Sequence, residues 1–114
     1  VSGEFIGFER DGYAAGIRLA SKHGIWAAVW AWQADLDLRR DGHVMPCPDR
    51  PQAICAGARA LLESLDAADP LGRGAGVTGV ARQRMERMRK WAEELREKHR
   101  PVAVAMNLFG EGAR

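Results

Sequence analysis

Residues 25–38 read IWAAVWAWQADLDL, and the fold turns on whether they form a strand or a helix. Trp26, Ala28, Trp30, Trp32, Ala34, Leu36 and Leu38 recur with the period of two that marks one face of a strand, while Ile25, Val29, Trp32 and Leu36 also fit helical spacing. The alternation of Asp35, Leu36, Asp37 and Leu38, leading into Asp41-Gly42, favours the strand. A strand spanning the whole stretch would be unusually long, so a bulge or break is expected near Trp32 to Ala34.

Working outward, Asp11-Gly12 and Asp41-Gly42 each sit between apolar segments. Asp-Gly supplies the positive φ that tight hairpin turns need, so each pair predicts a hairpin. Glu4 to Arg10 precedes the first turn. After it Tyr13, Ala15, Ile17 and Leu19 alternate with Arg18 and small residues, and Ser21-Lys22-His23-Gly24 reads as the next turn.

Pro46, Pro48 and Pro51 end the sheet region. Asp49 with Gln52 three residues on resembles a capping box, and Ile54, Ala58, Leu61, Leu62 and Leu65 then form a helical stripe that stops before Pro70. Residues 70–79 are a glycine-rich connector. Thr78 can cap a second helix, with Ala81, Met85, Met88, Ala92 and Leu95 on its apolar face and Trp91 beside them, running to about His99. Pro101 stops it, and Val102, Val104, Met106 and Leu108 alternate as a last strand. The expected fold is α+β and two-layered: an antiparallel sheet of about four or five strands with two helices packed on its Trp-bearing face, in the order β-β-β-β-α-α-β.

The 114 residues, 46% hydrophobic and 28% charged, suit a single domain over 1–114 with one core. No apolar run is long enough to span a bilayer, and the first residues, Val-Ser-Gly-Glu-Phe-Ile, lack the basic region of a signal peptide, so a cytosolic setting and no membrane partner are expected. Cys47 and Cys55 are too few for a disulfide-stapled scaffold, and reduced thiols are expected. The charge is divided: residues 1–69 carry a net −3 and residues 70–114 a net +5, a pattern that suggests an anionic partner for the basic half.

Arg82, Arg84, Arg87, Arg89 and Lys90 crowd the first half of the second helix against one acid, Glu86, while Glu93, Glu94 and Glu97 follow in the second half. This order opposes the helix dipole, which favours acids at the N-terminus and bases at the other end. Together with a preceding loop that carries Arg73 and many free backbone N–H groups, it describes an anion site. The competing reading is a solvated face in which Glu86 pairs with its neighbours at helical spacing.

Gly74-Ala75-Gly76-Val77-Thr78-Gly79 matches the G-x-G-x-x-G spacing of dinucleotide folds but lacks the strand that should run into it. The same stretch resembles in part the acyl-CoA pyrophosphate loop of the GNAT acetyltransferases, with Arg73, Gly76 and Thr78 in the R-x-x-G-x-G/A places and the likeness extending from Gly72 to Phe109. That resemblance implies an acyl-CoA-dependent enzyme. Thr78 departs from its last small position, and helical residues 54–65 stand where the family has a strand.

His43, Cys47, Cys55 and Asp49 match no zinc spacing, and a Cys47–His43 nucleophilic pair lacks an orienting third group. Asp35 and Asp37 read as the outer face of an amphipathic strand. Trp26, Trp30 and Trp32 could stack bases, but they read more simply as core beneath two helices, with Trp26 and Trp30 mostly buried. The expected function is therefore non-enzymatic binding without a cofactor, of nucleic acid first, with Arg73, Arg82, Arg84, Arg87, Arg89 and Lys90 neutralising phosphates. The alternatives are a small accessory or inhibitor protein of mobile-element type, docking the same Arg surface on acidic residues of another protein, and the acyl-CoA enzyme.

Overall fold

Two of the turns are set by residues with positive φ. Gly12 (φ +79°) closes the first hairpin, and His23 (φ +56°) with Gly24 (φ +77°) forms the second, the pairing of signs that matches the twist of flanking strands. In the computed structural model, which describes residues 2–69 and 79–100, these turns connect β1 (Ser2–Arg10), β2 (Tyr13–Lys22) and β3 (Ile25–Asp35), followed by β4 (Leu38–Cys47). The strands pair antiparallel in the order β1-β2-β3-β4. Two helices, α1 (Arg50–Ala68) and α2 (Gly79–Lys98), cover one face, so the two-layer α+β architecture is as expected from the sequence. The expected last strand over 102–108, the Thr78 cap and nearly all of the glycine-rich connector lie outside the described residues. Gly79 itself opens α2 and does not belong to the connector.

The third hairpin is not where Asp41-Gly42 predicts it. The chain reverses at Leu36–Asp37, where Asp35 Oδ1 accepts from the Leu36 N–H at 2.7 Å, and Asp41 and Gly42 lie inside β4 opposite Ala31 and Trp30. Gly42 is there because of the indole beside it: a Cβ built on it would stand 2.6 Å from Trp30 Cζ2. The glycine makes room for a ring rather than for a turn. The bulge expected near Trp32 to Ala34 is found between Gln33 and Asp35, and a second irregularity falls between Trp26 and Ala28.

The core lies between the Trp-bearing face and the helices. Trp32 is 2% exposed, packs with Ala15, Ala34, Leu61, Leu65 and Met88, and donates from Nε1 to Ser64 Oγ on α1 at 2.9 Å. Trp26 and Trp30 are mostly buried, as expected, though less completely than Trp32, at the margin of a second cluster around Ile17, Leu19, Ile54 and Ala58. Gly57 brings α1 close to the sheet, since a Cβ there would lie 3.2 Å from Ile17 Cγ2.

The start of α1 follows the capping expectation. Asp49 is the N-cap and accepts from the Gln52 N–H at 2.9 Å, while Gln52 Nε2 returns to its carboxylate at 3.2 Å. Asp49→Ala is expected to cost about 1 kcal/mol, measured as a lower urea midpoint at an unchanged m-value.

Candidate functional site

Four of the five bases in the first half of α2 are turned toward the rest of the chain. On one flank Arg82 lies 3.6 Å from Asp69 at the end of α1, and Arg89 pairs with Asp66 one turn earlier on the same helix. On the opposite flank Arg84 donates to the Ala34 carbonyl at 2.8 Å and stacks 5.5 Å above the Tyr13 ring, while Arg87 reaches the Tyr13 hydroxyl at 3.3 Å. Lys90 is exposed, and Arg87 remains open to solvent on its outer side. The inverted charge order therefore has a packing cause. The first half of α2 sits between two acids of α1 and the acceptor-rich ends of β2 and β3, and its bases serve those partners.

Consequently the structure does not gather the five described bases into one patch. Arg82 and Arg89 point to α1, Arg84 and Arg87 to the sheet, and Lys90 outward beside Phe8 and Trp91; Arg73 lies outside the described residues. The G-x-G-x-x-G stretch, with the Gly76 and Thr78 that carry the acetyltransferase likeness, also lies outside them, apart from Gly79. What precedes the loop is α1, a helix where that family has a strand.

The other candidates are separated by the sheet. His43 faces the uncovered side, whereas Cys47 packs against the core and Cys55 is buried on α1. Burial, reinforced by the charge of Asp49, pushes the Cys47 thiol up, the opposite of what an activated nucleophile needs. Among the described residues no three His, Cys, Asp or Glu side chains converge as metal ligands. Asp35 ends β3 and Asp37 sits in the turn, so they do not form a carboxylate pair on a strand. No described helix is long and apolar enough to cross a membrane.

The surface that sequence reading missed is the other face of the sheet, left bare by both helices. The strand pairing arranges it in rows. One row runs Phe5, Arg18, Val29, His43; the next runs Gly7, Gly16, Ala31, Asp41; a third runs Glu9, Ala14, Gln33, Arg39. Phe5 is 65% and Val29 49% exposed. The Phe5 ring lies over Gly7 and Gly16, where any Cβ would clash with it, and this seals the backbone of β2 from the bare side. Between the Phe5–Val29 row and Gln33, Arg39 and Asp41 runs a shallow groove floored by Gly16 and Ala31. The missed signal was the run of odd-numbered residues Ile25, Ala27, Val29 and Ala31 in β3, which is apolar although it lies opposite the Trp face.

No family model, curated protein or solved structure matches this chain. The site's chemistry is therefore argued from its residues alone. At the other end of the molecule, Glu4 on β1 pairs with Arg50 at the start of α1; that hydrogen bond holds the Glu4 carboxyl below its ordinary value. This tie is present at neutral pH and weakens only as the solution becomes acidic enough to protonate Glu4 in the folded chain.

Proposed function

We propose that this domain is a non-enzymatic module that docks on protein through the bare face of its sheet. The observation that carries the reading is that face itself: among the described residues the antiparallel sheet is covered on one side only, with Phe5, Val29 and Ile25 exposed on the other over a floor of glycine and alanine. Antiparallel sheets that face water on one side normally carry polar residues there, so an apolar bare face calls for a partner. Polar side chains around it, Arg18, Arg39, Asp41 and Glu9, supply the rim of a protein interface.

Docking is preferred to nucleic-acid binding because four of the bases read as phosphate ligands, Arg82, Arg84, Arg87 and Arg89, have partners within the chain. With only Arg87 and Lys90 of the described candidate bases open to an anion, affinity for duplex DNA through that face should fall with log salt at a slope no steeper than about −2. Five phosphate-neutralising bases would give about −4.5, and a slope of that size in fluorescence anisotropy would return the nucleic-acid reading to first place. The direct test of docking is a photocrosslinking side chain introduced at Ala31 or at Lys90 in the native cell. A discrete protein adduct from position 31, lost on adding Val29→Arg, is the expected result; adducts from position 90 with none from 31 would contradict it.

A further inference from the structure

The bare face is complementary to itself, and we infer that its partner is a second copy of this chain, an inference that rests on the docking reading above. The row Phe5, Arg18, Val29, His43 is large at every strand, while the adjoining row Gly7, Gly16, Ala31, Asp41 is small on three strands and acidic on the fourth. A twofold axis lying in the interface, across the strands and midway between these rows, sets each row of one copy on the other row of its partner. Val29 then enters the depression over the partner's Ala31, and Arg18 meets the face of the Phe5 ring that covers the partner's Gly16. On β4, His43 meets the partner's Asp41, and Asp41 meets the partner's His43.

These juxtapositions join Val29 to the small Ala31, the Arg18 guanidinium to a ring face and His43 to an acid, and a twofold repeats every one of them. At the β1 end the axis brings the two Phe5 rings together, each already lying over its own Gly7 and Gly16. Sheets stacked in this way keep their strands nearly aligned and about 10 Å apart, and the depression left at Ala31, beside the Phe5 ring, receives Val29 of the other copy.

The area is sufficient. Four strands about 4.8 Å apart and about eight residues long present on the order of 500 Å² in plan on each copy. Two such faces reach the roughly 1,000 Å² of total burial that a specific interface requires. The exchange of His43 and Asp41 across the axis, which a second copy supplies on both sides of the contact and a heterologous partner would not need, is the feature that selects a second copy.

Sedimentation equilibrium from about 1 µM to 1 mM tests this, with circular dichroism to establish that each variant is folded; Val29, Asp41 and His43 are exposed, so their replacement leaves the core intact. The native chain should be a reversible dimer, and Val29→Arg should weaken association about 100-fold or more. His43→Asp should weaken it alone because it sets two acids face to face, and Asp41→Lys because it removes the acid that His43 meets, and an equimolar mixture of the two should recover dimer as a heterodimer. Recovery in the mixture supports the twofold arrangement. Dimers indifferent to all three substitutions, or singly weakened variants whose mixture does not recover, overturn it. A native chain that is monomeric throughout overturns the inference as well, and the Ala31 crosslink then separates the two failures. An adduct with a different protein, lost in Val29→Arg, leaves the docking reading standing, and no adduct removes both.

Discussion

Replacing Trp32 by alanine is expected to destabilise the domain by about 3–5 kcal/mol, a large part of the roughly 5–15 kcal/mol that holds a domain of this size together. Trp32 is the largest fully buried side chain, and it joins three elements at once: it lies on β3, packs on Leu61 and Leu65 of α1, and touches Met88 of α2. Its removal leaves a cavity that neither helix can close without moving away from the other. The loss also strands Ser64, whose hydroxyl accepts from the indole N–H. Trp32→Phe separates the two contributions, because it restores most of the volume and not the hydrogen bond, and should recover well over half of the loss. Urea unfolding followed by far-ultraviolet circular dichroism measures both. Equal stability of Trp32→Ala and the native chain would place the core elsewhere.

Gly42→Val is expected to cost about 1–3 kcal/mol, although it adds apolar bulk at a strand position where valine is ordinarily favoured. The cost arises because a Cβ at 42 would stand 2.6 Å from Cζ2 and 2.9 Å from Cε2 of Trp30, so the indole must leave its place against the second core cluster. The double variant Gly42→Val with Trp30→Ala should be less damaging than the sum of the two single changes, because the side chain that clashes is gone. Additivity would contradict the ring-over-glycine account.

Gly42 also explains where the sequence misleads. Asp41-Gly42 carries the composition of a hairpin turn, but the glycine is used for the absence of a Cβ under a ring and not for positive φ, and these two uses cannot be told apart without knowing which residue lies across the strand. The hairpins at Gly12 and His23-Gly24 were legible because there the local turn and the apolar alternation agree. The same holds for α1 and α2, whose stripes and the Asp49 cap match their packing. Trp26 and Trp30 were placed on the correct face as mostly buried residues, but their lesser burial than Trp32 was not legible, since the sequence does not state how far α1 and α2 spread over the sheet.

The site was less legible than the fold. The charge order of α2 violates the dipole rule, and such a violation can mark either a ligand or a tertiary partner. Asp66, Asp69, Ala34 and Tyr13 are the tertiary partners, up to 74 positions away along the chain, and only the folded chain brings them near Arg82 to Arg89. The bare face escaped notice for a similar reason: its rows run across four strands, so Phe5, Arg18, Val29 and His43 become neighbours only once the register is known.

The central claim is that contact is made through the bare face of the sheet and not through α2. Backbone amide chemical shifts compared between dilute and concentrated samples test it most directly. The account predicts concentration-dependent shifts at Phe5 to Gly7, Gly16 to Arg18, Val29 to Ala31 and Asp41 to His43, with α2 unmoved; an unchanging sheet, together with shifts at Arg82 to Lys90 when a short DNA duplex is added at low salt, would contradict it.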